Sequence, residues 1–210
     1  MLSDLDNVIM PLRCVFCGTR TKAPERFICS GCDEDLPRIE SPPPPTASPF
    51  EYDIAPLEYE FPVDAAIKAL KFKRRLHYAP ALAELLCDAV ARLPADIDAV
   101  LPVPLHWRRR WFRGFNQAVE IGRPVAKHLS VPLLSCVRRQ RATPSQSGLN
   151  AKERARNLKS AFVARRALPY RHVLIIDDVI TTGVTMQQVA RVVKQAGAGK
   201  VSALAVARAV

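Results

Sequence analysis

The chain predicts an α/β fold, a parallel sheet flanked by helices, preceded by a small cysteine-rich module. Three observations carry this. Val173-Leu174-Ile175-Ile176 is an apolar run with three β-branched residues, which reads as a strand buried on both faces. It passes through Asp177-Asp178-Val179-Ile180 and Thr181-Thr182-Gly183 into a helical pattern, with Val184, Val189, Val192 and Val193 on one broad face and Gln187, Gln188, Arg191 and Lys194 largely on the other. Near the N-terminus, Cys14-x2-Cys17-x11-Cys29-x2-Cys32 sets two Cys-x-x-Cys knuckles at the spacing of a tetrahedral metal site.

The length of 210 residues leaves room for one full domain and a small appendage. No run approaches the roughly 18–20 apolar residues of a membrane span. The opening MLSDLDNVIMPLRC carries acids early and has no apolar signal core, so a cytoplasmic protein is expected. The net charge of +11 is unevenly spread. Residues 1–50 hold five Lys/Arg and seven Asp/Glu, and residues 51–210 hold 26 and 13. Between Pro104 and Arg171, 16 basic residues face only Glu120 and Glu153. A polyanionic partner, or simply a soluble basic surface, accounts for such a segment.

Residues 1–40 form the expected cysteine module. It is too short to bury a core, so a bound metal would supply its folding energy. Cys14, Cys17, Cys29 and Cys32 fill all four positions of a zinc ion, which makes the site structural. A disulfide pair is disfavoured in a cytoplasmic chain, and a redox Cys-x-x-Cys does not need two knuckles. Cys87 and Cys136 sit in apolar runs and read as buried fillers. Residues 41–49, with Pro42 to Pro45, form a semi-rigid polyproline linker. The main domain is expected over 50–210.

Phe50 to Phe61 alternates in places and reads as a strand or hairpin. Helices follow over about 64–75 and 80–93, with Pro80 suited to a first turn. The cluster Lys71-Phe72-Lys73-Arg74-Arg75 could touch phosphate, but a solvated helix end is the favoured reading. Ala99 to Pro104 is the first strand of the main sheet, stiffened by its prolines. Next, Leu105 to Gln117 interleaves Trp107, Trp111, Phe112 and Phe115 with Arg108, Arg109, Arg110 and Arg113. Its arginines could clamp a pyrophosphate. Together with the aromatics they could hold single-stranded nucleic acid, or the stretch could be a basic surface loop. His106 alone does not justify a general base. Asn116 can cap a helix over 117–128. Residues 131–137 read as a second strand, 138–149 as a basic turn-rich loop, 151–158 as a short helix, and 201–207 as a closing strand after Gly197-Ala198-Gly199.

The central stretch is an anion site in its own right. A Thr/Gly turn at a helix N-terminus presents free N–H groups and the positive dipole end, and Thr181, Thr182 and Thr185 add hydroxyl donors. Asp177 and Asp178 offer acceptors at the carboxyl end of a strand, where open α/β sheets bind ligands.

Residues 173–185 resemble the phosphoribosyl pyrophosphate (PRPP) motif of type I phosphoribosyltransferases. The chain as a whole resembles the ComF competence-protein family, with the gluconate-linked GntX group as a close relative. The likeness rests on Cys14/Cys17/Cys29/Cys32, Pro102-Val103-Pro104-Leu105, Arg113-Gly114-Phe115-Asn116-Gln117, Arg141/Thr143/Gln146/Leu149 with Arg154/Asn157, and the PRPP motif. One departure is Arg74-Arg75 after Lys71-Phe72-Lys73, where a Gly is usual, and it is expected to matter little.

The resemblance implies a type I phosphoribosyltransferase-like sheet. Asp177, Asp178, Val179, Ile180, Thr181, Thr182, Gly183, Val184 and Thr185 would bind PRPP, the acids on its ribose hydroxyls and Thr181–Thr185 on its 5′-phosphate. Residues 103–113, with Pro104, Leu105, Arg109 and Arg113, would form the pyrophosphate loop. Residues 141–150 and the helix after them, with Arg141, Thr143, Gln146 and Arg154, would form a lid. Magnesium would accompany PRPP. The activity implied is transfer of phosphoribosyl to a nitrogen acceptor chosen by a hood over residues 50–80, in a protein linked to DNA uptake and DNA use. Two other readings are a PRPP-dependent module that handles single-stranded DNA without turnover, and a scaffold whose zinc module docks competence or DNA-processing proteins.

Overall fold

The computed structural model describes residues 13–21, 26–39, 49–140 and 161–209. The lid residues Arg141, Thr143, Gln146 and Arg154, the helix expected at 151–158 and most of the proline linker lie outside the described residues. In chain order the elements are α1 (Ser30–Glu34), β1 (Asp53–Ile54), β2 (Leu57–Glu58), α2 (Val63–Lys73), α3 (Tyr78–Val90), β3 (Ala99–Pro102), α4 (Trp107–Arg113), α5 (Gln117–His128), β4 (Val137–Arg139), β5 (Phe162–Ala164), β6 (His172–Ile180), α6 (Val184–Gln195) and β7 (Lys200–Arg208).

The main sheet is parallel throughout. β6 lies between β3 and β7, and β1 and β2 line the far edge of β7 one after the other. The expected strand or hairpin at 50–61 is thus two short edge strands, both paired to β7. Val173 to Ile176 are completely buried because helices cover both faces. On one face α2, α3 and α5 pack over Leu174, Ile176, Leu204 and Val206. On the other, α6 and the β4–β5 pair pack over Val173, Ile175, Ala203 and Ala205. The alternation along β6 and β7 is the period-two rule of a strand. No described helix is long and apolar enough to cross a membrane.

Two sequence expectations need correction. Residues 131–137 do not form one strand of the main sheet. Pro132 has no N–H to continue a ladder, and only Leu133 bridges to Val100 beside β3. The regular strand is Val137–Arg139, antiparallel to β5 in a separate pair. The stretch after Leu105, expected as a loop, contains α4. His106 caps it, its Nδ1 accepting from Arg108 N at 3.3 Å, and Gly114 ends it at φ 88°.

The cysteine segment is docked onto the α/β part. Cys14, Ile28 and Leu36 are buried in the same apolar cluster as Leu57, Val63 and Leu82. Glu84 on α3 receives Arg26 Nε at 2.7 Å and Phe27 N at 2.8 Å.

A polar network pins the opposite end of the sheet. The fully buried His172 contacts Asp96 Oδ1 through Nδ1 at 2.6 Å and Ser202 Oγ through Nε2 at 2.8 Å. Asp98 accepts the backbone N–H groups of Arg171 and His172. Gly199 belongs here because a Cβ would lie 2.8 Å from Arg171 O. The hydrogen bond from His172, helped by Lys200, holds the Asp96 carboxyl below its ordinary value. A depressed carboxyl stabilises the fold above its unfolded pKa, and that contribution is lost as pH falls through its folded value. Asp96→Asn is therefore expected to lower the melting temperature at pH 7, with the gap to wild type closing below about pH 4. A gap unchanged in melting curves down to pH 3 would contradict this.

Candidate functional site

A difference in strand length opens the cleft. Pro102 and Pro104 stop β3, whose last bond to β6 is Val103 N to Ile176 O at 2.8 Å. On its other side β6 stays paired to β7 as far as Ile180 opposite Arg208. Asp177 and Asp178 were expected where the strand ends; the strand instead continues past them to Ile180, paired on one side only. The long alanine- and valine-rich β7 gives β6 a partner past the acids, which periodicity in β6 alone does not reveal.

The result is a cleft of about 670 Å³. Its floor is Asp177, Asp178 and Val179, with Thr181 and Thr185 at one end. Pro104, Leu105, Arg109 and Arg113 form one wall, and Lys71, Phe72 and Arg74 come from α2 and its end. The two acids, two of the threonines and all four residues expected of the pyrophosphate loop thus share one cavity. Ile180 is a core residue, and Thr182, Gly183 and Val184 stand outside the walls. Gly183 takes φ 69° as it leads into α6, and no side chain caps that helix, so its first N–H groups stay available.

Lys71 departs from the favoured reading of the basic cluster as a solvated helix end, while Lys73, Arg74 and Arg75 are exposed as that reading expects. The Lys71 Nζ lies 2.7 Å from Asp178 Oδ2, in an ion pair whose lysine side chain is 18% exposed. Asp178 itself is 2% exposed, and Oδ2 has no well-directed hydrogen bond besides this pair. Burial and the neighbouring Asp178 charge push the Asp177 carboxyl well above the usual range, with Lys71 opposing. Burial lowers Arg113, which donates to Gln117 Oε1 and lies over the Phe72 ring at 5.6 Å. Burial also brings Arg139, another wall residue, down to about 10, with Arg109 adding to the effect. Sequence reasoning named Lys71 only within a cluster that could touch phosphate and Gln117 only within a motif, and it gave neither of them nor Arg139 a place in the site because no local pattern fixes which side chains turn into the cleft.

Arg74 ends α2 at φ 53° and donates to Phe112 O at 2.5 Å, joining α2 to α4 across the cleft mouth. A non-glycine residue in the left-handed region costs about 1 kcal/mol, so the departure from glycine is not neutral as expected. It exchanges backbone ease for a tie between two walls.

The second constellation is Cys14, Cys17, Cys29 and Cys32, whose sulfur atoms all lie within 4.8 Å of one another and could hold a metal ion. Cys17 and Cys29 are 3.6 Å apart. Hydrogen bonds from Thr19 bring the Cys17 thiol down to about 6, while burial and the neighbouring sulfurs push Cys32 up.

Residues 116–209 match the family profile described as "Phosphoribosyl transferase domain". Competence protein F of Haemophilus influenzae is 36% identical over 163 residues, covering 72% of this chain and 70% of that protein. DNA utilization protein YhgH of Escherichia coli (strain K12) is 35% identical over 199 residues, covering 90% and 86%. Among solved structures, the glutamine PRPP amidotransferase from B. subtilis aligns at a TM-score of 0.44 with 18% identity, over 66% of this chain and 30% of the amidotransferase. The chain belongs to the family of competence protein F and DNA utilization protein YhgH, built on a phosphoribosyltransferase domain.

Proposed function

We propose that the cleft binds PRPP and that the protein is a phosphoribosyltransferase acting in the use of DNA, within the cytoplasm. The observation that carries this is the joining, in one basic cleft, of two carboxylates on β6, a threonine-bearing helix N-terminus and the Pro104–Arg113 wall. In this reading the 5′-phosphate takes donors from Thr181, Thr185 and the first N–H groups of α6. Asp177 and Asp178 accept from the ribose hydroxyls, and Arg109 and Arg113 face the pyrophosphate. The bond from C1 of ribose to pyrophosphate breaks with its electron pair leaving on pyrophosphate, while a nitrogen acceptor forms the new bond and loses its proton to solvent. The arginines stabilise the charge gathering on the leaving group.

The chain's residues fit both implied metals. Asp177 and Asp178 put carboxylates into the cleft lining, and hard oxygen donors beside a pyrophosphate suit magnesium. Magnesium would supply charge neutralisation on the phosphates. Four thiolates at tetrahedral zinc stand about 3.8 Å apart given Zn–S near 2.3 Å, and the cysteine sulfurs are spaced for it. With no open position, zinc there would hold the segment folded.

The test is phosphorus NMR of PRPP with magnesium, the zinc-loaded protein and a pool of nucleobases and short single-stranded DNA. Release of pyrophosphate, lost in Gly183→Val because valine disfavours φ 69°, is the expected result. Broadened PRPP signals without pyrophosphate would reassign the protein as a ligand-gated module, the reading that the exposed Trp107, Trp111 and Phe112 on arginine-rich α4 would favour. Unchanged spectra would refute PRPP binding.

A further inference from the structure

The arginines that the PRPP cleft leaves unused converge elsewhere. A second cleft of about 690 Å³ lies across the Pro104–Leu105 turn from the first, and shares that turn and Arg139 with it. Arg110 from α4, Arg123 from α5, Arg138 from β4 and Arg165 just after β5 reach it from four separate segments. Glu120 is the one acid among the described residues that line it. None of these four guanidinium groups has an ion-pair partner among the described residues. A helix face that merely solvates charge spreads it outward. Here the backbone brings like charges into one concavity, where they repel unless an anion lies between them.

The walls also indicate what the anion is attached to. Trp107 lines the cleft yet is 64% exposed, with the Arg108 guanidinium 5.3 Å from its ring. An exposed indole beside arginines offers a stacking surface for a planar base, and guanidinium groups match phosphate oxygens in pairs. The volume falls within the roughly 300–1,000 Å³ of small-ligand sites, enough for one nucleotide, whereas a nucleic-acid strand would run out past both ends.

We propose that this second cleft binds a nucleoside di- or triphosphate, its phosphates among Arg110, Arg123, Arg138 and Arg165 and its base against Trp107. The ligand sits beside PRPP and not in its place.

The experiment is calorimetric titration of ADP and ATP into the full zinc-loaded chain, with and without saturating PRPP and magnesium. Binding is expected in both conditions, weakened at least tenfold in Arg138→Ser/Arg165→Ser. Trp107→Leu is the second variant, expected to weaken ADP while leaving inorganic pyrophosphate unchanged, a difference that general misfolding would not produce. The proposal fails if no nucleotide binds at millimolar concentration, if PRPP competes nucleotide away, if both variants bind normally, or if pyrophosphate binds as tightly as ADP. Binding of oligo(dT) that the arginine pair controls, without mononucleotide binding, would make the cleft a strand-binding surface instead. Should PRPP itself fail to bind, the arginine and tryptophan effects are still read in its absence, so this proposal and the PRPP reading fail separately.

Discussion

Asp178→Ala is expected to weaken PRPP binding about a hundredfold or more, and Lys71→Met nearly as much by a different route. Charge-assisted hydrogen bonds contribute about 1.5–3 kcal/mol each, and the loss of one at the upper end of that range reaches that factor. Lys71→Met leaves Asp178 almost completely buried beside Asp177, whose carboxyl is already pushed up. With Lys71 gone, the charge that opposes the upward push on Asp177 is lost, and the ribose meets a carboxyl driven further toward its neutral form. Each single change also breaks a buried ion pair, at a cost of up to about 3–5 kcal/mol. The double variant Lys71→Met/Asp178→Ala removes both charges together and should recover part of the lost stability without recovering binding. Calorimetry with PRPP and thermal melts of the four proteins test this. Stability losses that simply add in the double variant would show that Lys71 and Asp178 are not energetically paired.

Lys71 also marks where the sequence stops being legible. The motif around Asp177 to Thr185 is local: strand, acids, turn and helix follow one another, so residue order alone places them at a strand's carboxyl end. The helix at Gln117–His128 was readable for the same reason, since Asn116 caps it and accepts from Ala118 N. Lys71 reaches Asp178 only because α2 is laid over the end of β6 by Val63, Ile67 and Leu70 packing into the core. That is a tertiary fact about residues more than a hundred positions apart. Arg139 likewise enters the cleft from a short antiparallel pair whose partner strand begins twenty-three positions beyond it. α4 was missed because aromatic and arginine residues interleave without a clean apolar stripe, and because its cap is a histidine, an uncommon choice.

Removing zinc is expected to destabilise the whole protein and to leave PRPP affinity within about twofold. None of the described residues between 13 and 39 lines the PRPP cleft, so binding should be spared. Their docking is another matter. Cys14 is both a metal-site residue and a core residue, buried with Ile28 and Leu36 against α2 and α3. Without the ion, four thiols have no reason to converge, and those apolar groups leave the surface of α3. At about 1.5–3 kcal/mol for each fully buried apolar side chain, less what the freed segment regains in entropy, the net loss is a few kcal/mol. For a chain of this size that is a fall of roughly 5–10 °C in melting temperature. Cys29→Ser/Cys32→Ser should reproduce the fall. Glu84→Ala separates the two causes, because it cuts the bonds to Arg26 and Phe27 while leaving all four sulfurs in place. It should retain zinc by elemental analysis and lower the melting temperature by less. A tethered, independent module would behave otherwise: chelation would unfold the segment while the main transition stayed where it was. A shared core couples the two, because each half supplies apolar surface that the other needs.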